Sequence, residues 1–164
     1  MTDGPPLTLP YRAGPAIADE VRFYGGLGVE TGGFLLAAEG RGSVTIVAFA
    51  GESGITRQRR LFQVSALGLD ALFGFAEDRG CWVPAQFHSH LGEAFLSLTD
   101  QQHGLRVNGF ASAVVPDFAD PPASPTGWSW WRFAGDRWAH DRVPVIAEAD
   151  LELVVFDEDG VRGK

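Results

Sequence analysis

Short apolar runs set between glycine- and proline-rich turns dominate this chain, and elsewhere the apolar residues recur every third or fourth position. The first pattern suits strands and the second suits helices. "LTLPYRA" (7–13) reads as an opening strand. "PAIADEVRFYGGL" (15–27) reads as a short helix, with Pro15 in its first turn and Gly25-Gly26 as its stop. "GGFLLAAEG" (32–40) and "SVTIVAFAG" (43–51) are apolar, partly β-branched and joined by "EGRG", which predicts a hairpin. "GESGITRQRR" (51–60) reads as a polar, arginine-rich loop, and from Leu67 to Phe75 the apolar spacing predicts a second helix. "WVPAQFHSH" (82–90) is a strand ending in two histidines, "SLTDQQHGLRVNG" (97–109) a helix closed by Gly109, and "FASAVVP" (110–116) a further strand. The last third predicts an antiparallel hairpin around "AGD" and a final strand within "DLELVVFDEDG".

Strands therefore outnumber helices, which implies an α+β arrangement. At 164 residues, 45% apolar and 21% charged, the chain suits a single domain over 1–164, with a core spanning about 7–142 and a C-terminal strand at 150–156. No repeat period or linker-like block interrupts it. A formal charge of −8, with no basic run as a local exception, argues against nucleic acid and membrane surfaces as partners. The start, "MTDGPPLTLP", is not a secretory signal and no long apolar run follows, so a cytoplasmic location is expected.

The single cysteine, Cys81, rules out an intramolecular disulfide or a thiolate cluster, and its apolar neighbours predict inert packing. The tryptophans of "WSWWRF" and Trp138 are expected to pack in the core rather than line a peptide groove. "PDFADPPASPTG" (116–127), with four prolines, is long enough to be a functional loop, although nothing in the sequence assigns it a partner.

Two of the four histidines, His88 and His90, stand one residue apart. On a strand they share a face while Ser89 points away. Ser97 lies at a predicted helix start with Asp100 three positions on, so Ser97 can cap that helix while Asp100 is fixed in its first turn. Two histidines and an aspartate form the donor set of a catalytic zinc site, with a fourth position left to water. The plain alternatives are two hydrogen-bonded histidines at a strand end and an acid that only caps a helix. His103, three residues after Asp100, is read mainly as a surface or packing residue, with a supporting role near the metal as the alternative.

The run His88-Ser89-His90 followed by Ser97-x-x-Asp100 resembles the JAMM (JAB1/MPN/Mov34) metalloprotease motif, particularly its prokaryotic JAB branch. The family also carries an upstream glutamate before a glycine-rich strand, matched here by Glu30 in "VETGGFLLA". The segment between His90 and Ser97, "LGEAFL", is one residue shorter than is usual in that family, and Leu91 stands where a proline is frequent. The resemblance covers roughly residues 7–140. It implies an MPN/JAB-like α+β domain, a mostly antiparallel mixed sheet flanked by helices in a cytidine-deaminase-like arrangement.

For the site, the resemblance implies Zn²⁺ held by His88, His90 and Asp100, with Glu30 as general acid/base and Ser97 stabilising the oxyanion. It also implies a zinc-dependent isopeptidase or peptidase that cuts after the C-terminal tail of a ubiquitin-like protein. A peptidase for a sulfur-carrier-like protein or short peptide, and a catalytically inactive MPN scaffold, are the alternatives. Which ubiquitin-like protein, which linkage and which oligomeric state are not written in the sequence.

Overall fold

The computed structural model describes residues 4–164, apart from the side chain of His103. Strand β1 (Thr8–Pro10) leads into helix α1 (Ala13–Gly26), and a hairpin follows from β2 (Gly32–Ala38) and β3 (Val44–Ala50). Next come β4 (Ile55–Gln58), β5 (Leu61–Val64), α2 (Ala66–Asp78) and β6 (Cys81–Ser89). The short helix α3 (Leu98–His103) precedes β7 (Ala111–Val115), and the chain ends with β8 (Ser129–Ala134), β9 (Arg137–His140), β10 (Val145–Ala147), β11 (Glu152–Asp157) and β12 (Gly160–Gly163).

Eight strands form one sheet in the order β12-β11-β3-β2-β6-β7-β8-β9. The β3–β11 and β6–β7 pairings are parallel, and the other neighbours run antiparallel. The central strands are apolar on both faces because both are covered. Leu35, Val47, Phe49, Phe87 and Val115 join Ile17 and Val21 of α1 on one face. Phe34, Leu36, Ile46, Ala48 and Phe156 join Leu72 and Ala76 of α2 on the other. The fold class is the one expected, α+β with a mostly antiparallel mixed sheet between helices. No helix among the described residues is long and apolar enough to cross a membrane.

One local expectation holds and three change. Helix α1 does end at Gly26, as the glycine pair predicts, and the left-handed residue follows at Gly28, with φ +79°. Gly25 is also needed for contact, since a Cβ there would run into the backbone of Phe118. Residues 51–60 are not an open loop, because β4 and β5 pair antiparallel as a small separate hairpin. Helix α3 stops at Gly104 rather than Gly109. The Gly104 amide bonds back to Asp100 O, and Leu105 then turns into the core beside α2. Finally, β10 pairs parallel with β1, and β12 folds back on β11, two strands that no alternation in the sequence had marked.

The tryptophans pack as expected. Trp128 and Trp130 are buried and stacked, and Trp131 stacks on His140. The proline-rich segment lies against α1: a Cβ on Gly14 would run into Ala123 and Pro125.

Candidate metal centre

The β2–β6 register sets Gly32 opposite His88 and Gly33 opposite Phe87. A Cβ on Gly32 would lie 2.6 Å from the Phe62 ring, and one on Gly33 would lie 2.7 Å from the Phe87 ring. The glycine pair thus lets β2 and its neighbours close up beside the histidines. His88 is buried in β6, between β2 and β7. His90 lies one step past the strand end, where its amide still donates to Val115 O at 2.9 Å.

The segment from Leu91 to Leu96 closes despite its length. Leu91 packs against the α1-side core, Asp117 N–H donates to Gly92 O at 2.9 Å, and Phe118 N–H donates to His90 O at 2.9 Å. The start of the proline-rich loop therefore braces His90 and Gly92, on either side of Leu91. At α3, Asp100 N–H donates to Ser97 Oγ at 3.0 Å, and Ser97 N–H donates to Asp100 Oδ2 at 3.0 Å. This capping box satisfies two free helix-end amides and fixes the carboxylate of a six-residue helix.

The three expected ligands meet. His88 Nε2 and His90 Nε2 are 3.3 Å apart, and Asp100 Oδ2 lies 3.1 Å from the first and 3.0 Å from the second. Three corners of a tetrahedron with bonds of about 2.0–2.1 Å are separated by about 3.3–3.4 Å, so the triangle fits a small divalent ion with little adjustment. His90 Nδ1 donates to Glu93 O at 3.2 Å, which fixes the ring with Nε2 as the nitrogen that faces His88 and Asp100. Burial works against the charged form of Asp100, but hydrogen bonds from His88 and His90 outweigh it and hold the carboxyl well below the usual range. Burial also opposes protonation of His90, yet the Asp100 hydrogen bond and the Glu30 charge raise its pKa.

Glu30 is 5% exposed and directly precedes Thr31 and β2. Continuing the β2–β6 register sets it opposite His90, on the face that carries both imidazoles. Burial pushes its pKa up to about 8, with His90 lowering it and Asp100 raising it further. Burial thus raises the pKa of the Glu30 carboxyl while hydrogen bonds lower that of Asp100, so the two acids of the site titrate far apart.

Sequence reasoning missed what holds Glu30. Thr31 N–H donates to Ser89 Oγ at 2.9 Å, Ser89 N–H donates to Thr31 O at 2.9 Å, and Arg57 Nε donates to Thr31 Oγ1 at 3.0 Å. Ser89 does face away from the histidines, as alternation predicts, and its buried hydroxyl locks the two strands. Phe95, 53% exposed, sets its ring edge-on to His90 with centroids 5.0 Å apart. A groove leads from His88 and Asp100 between β5 and α3, floored by Phe34 and Gln86 and walled by Leu61–Val64, Leu69 and Leu105. The expectation for the His103 side chain lies outside the described residues.

No protein-family model matches the sequence, and no curated protein matches it either. Solved structures do share its fold. A protein from Desulfitobacterium hafniense has a solution structure similar at a TM-score of 0.66, with 15% identity over 88% of this chain and 94% of that one. The crystal structure of a JAB1/MPN domain protein from Archaeoglobus fulgidus is similar at a TM-score of 0.53, with 12% identity over 87% of this chain and 98% of that one. The solution structure of a protein from Salinibacter ruber gives 0.51, with 23% identity over 80% and 88%. At these identities the likeness is one of fold, and the fold is MPN/JAB-like. Within that fold, His88, His90 and Asp100 form a group that can hold a metal ion.

Proposed function

We propose that this protein is a zinc-dependent peptidase or isopeptidase of JAMM type, cutting the amide bond after the C-terminal tail of a ubiquitin-like protein. The observation that carries the reading is the triangle of His88, His90 and Asp100 donor atoms, with the buried side chain of Glu30 on the neighbouring strand end. Two imidazoles and one carboxylate suit Zn²⁺ and leave a coordination position open. Zinc bound there would polarise the scissile carbonyl and acidify a water.

The chain's own residues supply the rest. Glu30 takes the proton of the attacking water and returns one to the departing amine. Burial tunes it for that task, because a carboxylate at its ordinary pKa is a weak base near neutral pH. The fixed positive field of a bound cation would lower its pKa from the value near 8 and favour the ionised form that accepts a proton. Ser97 Oγ accepts from Asp100 N–H and keeps its own proton to donate to the carbonyl oxygen. The groove between β5 and α3 would take an extended tail, and its apolar walls would exclude water from the reacting bond.

Purified wild type and His88→Ala, compared for metal content and for hydrolysis, test the reading. Wild type should carry close to one zinc per chain and release a reporter fused after a ubiquitin-like C-terminal Gly-Gly. His88→Ala should carry almost no zinc and release nothing. Cleavage of a linear fusion but not of a lysine-linked conjugate would identify a processing peptidase. A wild-type protein that takes up no zinc when it is supplied would point to a scaffold instead.

A further inference from the structure

We propose that Arg57 is the positioning residue for Glu30, acting through Thr31; its catalytic consequence rests on the proposed role of Glu30. Arg57 lies in β4, part of a hairpin whose residues are at most half-buried. Its own side chain is nevertheless only 8% exposed. Each part of the guanidinium is used: Nη2 donates to Ala50 O at 2.6 Å, Nη1 to Gly51 O at 2.7 Å, and Nε to Thr31 Oγ1 at 3.0 Å. Its Cζ lies over the Tyr24 ring, 3.9 Å from the centroid. The nearest carboxylate, Glu52, is 4.0 Å away and largely exposed, so backbone carbonyls rather than a counter-ion hold the cation.

Those three acceptors lie at the end of β3 and just before β2. A planar fork with donors in fixed directions can join both strands to the hairpin, whereas an ammonium cannot reach all three in one geometry. Glu30 sits at this junction and belongs to no strand. Its amide donates to Gln58 O at 2.8 Å, next to Arg57 in β4. Its neighbour Thr31 is held on one side by Ser89 and on the other by Arg57. The ligand triangle depends on other contacts, those of His90 with Val115 O and Glu93 O and of Asp100 with Ser97. Removing the fork should therefore release Glu30 and the hairpin while leaving the metal donors in place.

Arg57→Met retains an unbranched apolar stem and removes every donor. Amide hydrogen exchange on metal-free wild type and Arg57→Met is the first comparison. Exchange at Glu30, Thr31, Ser89 and residues 55–64 should rise by about tenfold or more, with the rest of β6 and β7 unchanged. Zinc affinity should stay within about threefold of wild type, since no ligand or ligand partner is altered. With the Gly-Gly reporter fusion, kcat should fall by about tenfold, and in a Glu30→Gln background the same change should cost less than about twofold.

Unchanged exchange at Glu30 and Thr31, or a uniform rise across the whole sheet, would overturn the proposal. So would fully additive losses in the double variant. If Arg57→Met does not fold, Arg57→Lys is read by the same criteria. The exchange comparison needs neither metal nor substrate, so it decides the role of Arg57 even if the wild-type protein cleaves nothing.

Discussion

Glu30 is a carboxyl group enclosed beside a second carboxylate, and its proton is part of what the metal-free fold tolerates. The folded pKa near 8 lies above the ordinary 4.5. Between those values the folded chain keeps a proton that the unfolded chain has released. The stability linked to Glu30 is therefore full below about pH 4.5, falls through the window up to about 8, and is level above it. Glu30→Gln should remove that slope and raise the stability of the metal-free protein at pH 9 by about 1–3 kcal/mol, measured by denaturant unfolding. The same variant should keep its zinc and lose about 10²–10⁴-fold in hydrolysis, because proton transfer goes and no ligand does. Equal activity to wild type would remove Glu30 from the mechanism. The glutamate was legible only through the family resemblance, which implies one before a glycine-rich strand. Its burial and its tether to Arg57 were not, since both depend on contacts between distant segments.

Helix α3 has only six residues, too few to persist without its cap and its packing. Ser97 is the side chain that starts it, and the same hydrogen bond orients the Asp100 amide. Ser97→Ala should cost about 0.5–2 kcal/mol in thermal unfolding and weaken zinc binding by about 10–100-fold in a competition titration with a chelator. Ser97→Thr should restore most of both. An alanine variant with wild-type zinc affinity would show that Asp100 is fixed without the cap. The capping box could be read from "SLTD", but the early end of the helix could not. The stop at Gly104 follows from Leu105 entering the core and from Trp138, whose ring lies 3.2 Å from where a Cβ on Gly104 would be. In the β4–β5 hairpin, likewise, the strand signal was hidden by arginines, because a half-covered hairpin can carry polar residues on alternate positions.

Across the whole molecule, the donor triangle joins the end of a central strand to a marginal helix. An ion that binds only the folded chain stabilises it by about 4 kcal/mol when its free concentration is a thousand times the dissociation constant. For a chain of this length that is a rise in melting temperature on the order of 10 °C. Chelation should reverse it, and scanning calorimetry with and without EDTA measures the difference. No shift on zinc addition would count against the metal site. Acid should act in the same direction. Asp100 is held ionised in the folded state, so the stability it contributes is present above about pH 4 and is lost as the pH falls further, together with the metal.

The sequence by itself determined the class of fold and the chemistry of the donor set. Apolar runs and glycine turns are local properties, and the His-x-His and Ser-x-x-Asp spacings act within a strand and a helical turn. Tertiary structure alone decided that the six residues between His90 and Ser97 bring Asp100 Oδ2 to both imidazoles, because the brace from Asp117 and Phe118 comes from another part of the chain. It also decided that an arginine in a polar stretch is buried against Tyr24 and three acceptors, and that burial raises the pKa of Glu30. Desolvation and hydrogen-bond direction depend on which segments meet, and no spacing within a single segment encodes that.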